Sequence, residues 1–299
     1  MSRLFTFGCS FTQYRWPTWA DILGRQFAHF ENWGRIGAGT QFIFNSLIEC
    51  HLKNQLGPED TVGIMWTNIA REDRYVNGEW LTPGSIYNQT DYDENFVKKF
   101  ADIRGYYIRD LATIHATKLL LDSIGCRYFF LSMIPILNES ELDSDNSTDE
   151  IKDLLPYYQS TIDQIRPSVF ETVFNKDWWS RPFCEGDLSV VKNNYVKNAG
   201  ADWPSFEDFM NKKFDGVPQA VLDELFDKSR WNWDQLIYRT KRLDVHPTPL
   251  EHLEYIEKVL EEYTISDETK EWCGVFDALV RTHQRYVGVP WEQNLVSRW

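Results

Sequence analysis

A chain of 299 residues, 42% hydrophobic and 25% charged, can build one substantial core or a core with a subdomain. Its net charge is -14 and it has no basic run, so a polyanion would be repelled and general nucleic-acid binding is excluded. Five scattered cysteines, Cys9, Cys50, Cys126, Cys184 and Cys273, form no CxxC pair. They indicate neither a disulfide framework nor a zinc site, and no metal or cofactor is expected.

No apolar run approaches the roughly 20 residues of a membrane span. The first apolar run starts at about Leu4, which leaves no room for a signal peptide. The expectation is a cytoplasmic protein; a virion or other particle component assembled inside a cell fits equally. Aromatics reach 15%, with 13 Trp, more indoles than a core needs, so some are expected at a cleft or an interface.

In chain order, Leu4–Phe7 reads as a buried strand that breaks at Gly8-Cys9-Ser10-Phe11-Thr12. A strand ending in Gly and then Ser places a hydroxyl at the carboxyl edge of a sheet, where open α/β folds put their chemistry. Pro17–Phe27 reads as a helix, and Asn32–Gly39 as a glycine-rich turn. Thr40–Leu56 is an amphipathic helix with Ile43, Leu47 and Cys50 on one face, stopped by Gly57-Pro58. Thr61–Trp66 is a short strand, Phe96–Ser123 a long helical stretch ended by Gly125, and Arg127–Ile134 a third strand. Strands separated by helices imply a parallel sheet with helices on both faces.

Leu137–Thr240 shows no clean strand and carries Trp178, Trp179, Trp231 and Trp233. It reads as a helical, loop-rich insertion, either packed on its own aromatic core or capping the active site. Its acidic stretch Glu139–Glu150 lacks the Gly and the bidentate Glu of a calcium loop, since Thr148 and Leu154 occupy those places. Thr248-Pro249-Leu250-Glu251 is a capping box opening a helix that bears Leu253, Ile256, Leu260 and Tyr263. A further helix is expected over Glu268–Tyr286, then a docking tail, Val287–Trp299, with Trp291 and Trp299.

Just before the capping box stands Leu243-Asp244-Val245-His246. A Ser near the start, with an Asp and a His near the end, are the parts of a hydrolytic triad: Ser10 as nucleophile, His246 as base, Asp244 as its orienting acid. Arg71, which follows Trp66-Thr67-Asn68, reads either as a holder of an anionic substrate group or as part of a loop-stabilising ion pair. His29, His51, His115, His252 and His283 have no such partners in sequence and are expected to pack or to face solvent.

Four blocks in order resemble the SGNH hydrolase superfamily, the GDSL-type esterases and acetylesterases, in the variant with a Gly-Cys-Ser-Phe-Thr first block. Cys9 stands where the family's GDS triplet has Asp. Asn32-Trp33-Gly34-Arg35-Ile36-Gly37 is similar to the family's N-x-G-x-x-G, and Trp66-Thr67-Asn68 stands at its G-x-N-D, with Trp66 for Gly and Ile69 for Asp. The Asp244–His246 spacing is D-x-H rather than D-x-x-H, a shorter form seen among SGNH-like sugar O-acetyl transferring proteins. The resemblance implies an oxyanion hole made by the Ser10 N–H at the start of a helix, the Gly37 N–H and the Asn68 side chain. Gly39 is the alternative to Gly37. It also implies a three-layer α/β/α, flavodoxin-like fold: an SGNH-like domain over residues 1–136 and 241–264, the insertion over 137–240, and a C-terminal helix and tail over 265–299.

Two functions of different class follow. One is a serine esterase acting on a small acyl ester, such as an O-acetyl group on a carbohydrate, through an acyl-enzyme; transfer to an acceptor other than water is its variant. The other is a catalytically silent binding or assembly protein on the same scaffold, such as a phage-like particle component, with a protein partner on the insertion or the tail.

Overall fold

The computed structural model describes residues 2–87, 92–137, 148–174 and 246–281. The chain divides into two compact units, Met1–Lys176 with His246–Trp299, and Asp177–Val245. Every described residue belongs to the first unit. The second unit, most of the expected insertion, the Glu139–Ser147 part of the acidic stretch and the Val287–Trp299 tail lie outside the described residues, as do Tyr286, Asp244 and the four insertion tryptophans.

Four strands form the central sheet: β1 (Arg3–Gly8), β2 (His29–Asn32), β3 (Asp60–Trp66) and β6 (Arg127–Ser132), in the order β2-β1-β3-β6. All three pairings are parallel, with Leu4 opposite Phe30 and Thr61, and Ile64 opposite Phe130. The central strand β3 is buried at all seven positions. A parallel strand covered on both faces buries successive side chains, so Val62–Trp66 runs as an apolar block rather than alternating. The Arg3 guanidinium meets the Asp60 carboxylate through two 2.7 Å hydrogen bonds and pins the starts of β1 and β3 together.

Connections between parallel neighbours are right-handed. The chain passes from β1 to β2 in one direction, then back across β1 to β3 and on to β6, so the helices divide between two faces. α1 (Trp19–Gly24) packs on α7 (Pro249–Val259), and α7 on α8 (Asp267–Arg281). In the other layer α2 (Thr40–Asn54) packs on α4 (Ile103–Ile124), and α4 on α5 (Thr148–Ile162). The result is the expected three-layer α/β/α architecture. No helix of the described residues is long and apolar enough to cross a membrane.

Several elements differ from the sequence reading. The long helical stretch is two helices, α3 (Glu94–Phe100) and α4, because Asp102 caps a new start by accepting from the Arg104 N–H. Gly125 ends α4 in the left-handed region (φ 74°), as expected. The first helix begins only at Trp19, where Thr18 and Asp21 form a capping box. The edge strand β2 and the antiparallel hairpin of β4 (Arg74–Val76) and β5 (Glu79–Leu81) were not apparent, being short and mostly polar at their exposed positions. α6 (Val169–Thr172) is a single capped turn beside α7. The capping box at Thr248 forms as read, and the Tyr255 hydroxyl donates to Pro167 O at 2.8 Å, tying α7 to the segment after β6. The described cysteines are buried and free, and burial pushes the Cys126 thiol up to about 11.

Candidate active site

The strand order decides where chemistry can sit. β1 lies between β2 and β3, and the chain leaves it first to one side and then to the other. That reversal opens a crevice at the carboxyl ends of β1 and β3. Each strand delivers a segment to the same edge: Ser10 follows β1, Gly34–Gly39 follows β2, Asn68 and Arg71 follow β3, and Met133 follows β6.

Ser10 occupies one tight turn, in which the Thr12 and Gln13 amides both donate to Cys9 O, at 2.9 and 3.0 Å. The turn does not continue as a helix, so the expected placement of Ser10 at a helix start is corrected. Its N–H is left pointing by the turn geometry alone, not by a helix dipole. Gly8 is required here by close approach: a Cβ would collide with the Thr12 side chain and crowd Met65 O.

His246 lies 236 residues away in sequence, yet its Nε2 is 2.8 Å from the Ser10 Oγ. That is hydrogen-bonding distance for a base and the hydroxyl it deprotonates. The segment is held from both sides. Trp16 donates its indole N–H to Pro247 O at 2.8 Å, and the Thr248 capping box fixes the chain as it enters α7. Tyr14 stacks on the imidazole with ring centroids 3.9 Å apart and planes 19° from parallel, while Phe11 meets it edge-on at 5.5 Å. Ser10 is buried and His246 half-buried.

Gly37 has φ 78°, and a Cβ there would collide with Thr82 O. The crowding comes from the protein's own hairpin: Arg35 donates to Trp80 O at 2.6 Å, and Thr82 Oγ1 donates to Ile36 O at 2.9 Å. Gly39, the alternative oxyanion donor, has its N–H committed to the Asp73 carboxylate at 2.8 Å. Burial pushes Asp73 up, against the pull of the Phe42 and Gly39 amides and of Arg71 and Arg109. Among the described residues no group takes the Gly37 N–H.

Asn68 Nδ2 donates to Ile69 O at 3.1 Å and its Oδ1 accepts from Arg71 Nε at 2.6 Å. Arg71 also donates to Ala38 O at 3.0 Å and lies 3.7 Å from Met133 Sδ. It thus bridges the second and third blocks and the end of β6. It forms no direct ion pair with a carboxylate among the described residues, and its donors are turned to protein groups rather than to an open anion site. Its own carbonyl accepts from Arg109 at 2.7 Å. A second bridge is Asn32, which donates to Thr12 O at 2.8 Å and accepts from the Gly34 N–H at 2.9 Å.

Of the other described histidines, His29 meets Glu31, His115 meets Thr161, His51 lies on α2, and His252 is buried beside Phe11. The sequence reading missed Tyr14, Phe11 and Trp16 as the cradle of His246. Their signal was an aromatic at the first, fourth and sixth positions after a candidate nucleophile, too dense for a surface loop. Asp244 lies outside the described residues.

No protein-family model matches the chain. No curated protein matches it either. Among solved structures it is similar to a member of the lipolytic protein G-D-S-L family from Veillonella parvula DSM 2008, with a TM-score of 0.34 and 15% identity over 60% of this chain and 85% of that one. A GDSL-like lipase from Bacteroides thetaiotaomicron VPI-5482 gives a TM-score of 0.30 and 10% identity over 57% and 70%. Axe2, an acetylxylan esterase from Geobacillus stearothermophilus, gives 0.31 and 15% over 58% and 80%. Overlaps this shallow identify neither substrate nor catalytic residues.

Proposed function

We propose that the protein is a serine ester hydrolase of the SGNH type. The observation that supports it most directly is the 2.8 Å approach of His246 Nε2 to Ser10 Oγ at the carboxyl edge of a parallel sheet. Ser10 Oγ attacks the acyl carbonyl carbon as His246 takes the hydroxyl proton, and the carbonyl π electrons move onto oxygen. The Ser10 and Gly37 N–H groups and the second Nδ2 hydrogen of Asn68 bind that oxyanion. The intermediate collapses by expelling the alkoxide, which takes the proton from His246. Water, deprotonated by the same imidazole, then attacks the acyl carbon; the Oγ–C bond breaks, the acid leaves, and Ser10 Oγ takes the proton back from His246. Asp244, two residues before the base, holds the imidazole tautomer and stabilises the imidazolium.

The substrate class is a small acyl ester, an O-acetyl group on a carbohydrate. Ser10 is buried, which favours a compact acyl group, and Arg35 and Arg71 are turned to protein groups rather than to an acyl carboxylate. Acetate release from acetylated xylooligosaccharides and turnover of p-nitrophenyl acetate test this reading. Wild type is expected to turn over at least one of them, and Ser10→Ala to lose about three orders of magnitude or more. Equal rates for the two proteins would overturn it.

A further inference from the structure

We propose that Tyr14 is a positioning residue for the base: its ring face holds the His246 imidazole against Ser10 and stabilises the imidazolium formed during acyl transfer. The inference rests on the serine-hydrolase reading, because that reaction is what charges the imidazole during turnover.

The geometry is specific. The Tyr14 and His246 rings are nearly parallel, 19° apart, with centroids at 3.9 Å, closer than any other aromatic pair among the described residues. An electron-rich ring face within about 6 Å of a cation attracts it, and the attraction strengthens where water is excluded. Tyr14 is buried, so the interaction is weakly screened. Tyr14 is itself immobilised: Trp16 packs edge-on against it at 4.6 Å, and the Trp16 indole N–H is anchored on Pro247 O. The two rings thus clamp the histidine segment from the loop that carries the nucleophile. A shift of the loop would carry Ser10 and the base together.

This placement also divides labour. A triad acid works through the imidazole edge by accepting its N–H, whereas Tyr14 works through the face. The two act on the same charged form and do not compete for a nitrogen. Other groups lie on the segments that adjoin the imidazole. Ser10 meets Nε2. Phe11 shares its ring between His246 and the buried His252. Arg15 follows Tyr14 in the same loop and is exposed. On α7, the Glu251 carboxylate is bound by the Thr248 N–H at 2.7 Å, and on α8 Asp277 accepts from Leu250 N–H at 3.3 Å. Asp244 precedes the base in sequence.

The test is an imidazole titration followed by NMR, with the His246 signal assigned by its loss in His246→Gln. Position 14 is replaced by phenylalanine, then by mono-, di- and trifluorinated phenylalanines, which keep the ring's shape while draining its face of electron density. Phenylalanine is expected to titrate close to wild type. Successive fluorination is expected to move the midpoint to lower pH, by about half to one unit across the series. The acid limb of kcat/KM should move with it. Tyr14→Leu should reproduce the end of the series where it folds. A midpoint and pH profile that stay fixed across the folded fluorinated proteins would overturn the proposal and leave Tyr14 as packing. The titration needs no turnover. A moving midpoint in a protein that cleaves no ester would therefore keep the stack and remove the esterase reading instead.

Discussion

Asn68 and Arg71 show how one side chain can set the direction of another. An amide offers two N–H donors and one acceptor. Arg71 takes the acceptor at 2.6 Å, and Ile69 O takes one donor, so the remaining donor has a fixed direction. The same guanidinium holds Ala38 O, next to Gly37. Asn68→Ala is expected to lower kcat by about a hundredfold with the fold intact, as measured by turnover and circular dichroism. Arg71→Ala should lower kcat by about tenfold or more with little change in KM, and Arg71→Lys should fail to restore it, since an ammonium cannot span three acceptors in a plane. Unchanged kcat in both Arg71 variants would show that the bridge does not order the site. The sequence pointed to Asn68 through a block that matched its family pattern only in part. It pointed to Arg71 only as an anion holder or an ion-pair member. Its bridging role arises from contacts with residues 33 and 62 positions away, which no local pattern encodes.

At the scale of elements, the short β4–β5 hairpin acts as a buttress. It presses Thr82 O against Gly37, takes hydrogen bonds from Arg35 and donates to Ile36 O, so the loop after β2 is tied at three successive residues. A left-handed residue without glycine costs about 1–3 kcal/mol before any collision is counted. Gly37→Ala is therefore expected to lower stability by at least that much and to depress activity more than Gly34→Ala, whose Cβ would meet only side-chain atoms, Asn32 Oδ1 and Thr12 Cγ2 among them, at about 3 Å. Chemical denaturation and turnover of the two variants check this. The strands, the α2 helix and the Thr248 box were legible because apolar blocks, 3.6-residue spacing and capping residues are local signals. The hairpin was not, since three-residue strands with exposed positions carry no period. The glycine itself was legible, but its physical reason was not: a contact with a hairpin 45 residues downstream.

At the scale of the whole molecule, the buried carboxylates make stability depend on pH. Burial pushes Asp21 up to about 7, despite hydrogen bonds from Thr18, and pushes Asp110 up to about 6, despite the Arg109 guanidinium at 2.7 Å. A carboxyl raised on folding binds its proton more tightly in the native state. Its contribution is fully present below the ordinary carboxylate range, near pH 4, and is lost as pH rises through 6 to 7. Asp21→Asn keeps the acceptor for Thr18 and removes the charge. It is expected to raise Tm at pH 8 by about 3 °C or more and to leave Tm at pH 4 nearly unchanged. Equal changes at both pH values would place the effect in packing instead.

The fold class was legible from strand–helix alternation, because a parallel sheet forces its crossovers into helices. Ser10 and His246 were legible as a pair because few residue types can share that chemistry, and the structure sets them 2.8 Å apart. The central claim is that Ser10 is an activated nucleophile with His246 as its base. Fluorophosphonate labelling, with the adduct mapped by mass spectrometry, tests it most directly. A single adduct on Ser10, absent in Ser10→Ala and slowed by about a thousandfold in His246→Ala, is the predicted result. A folded protein that stays unlabelled, or labelling that persists in Ser10→Ala, would contradict it.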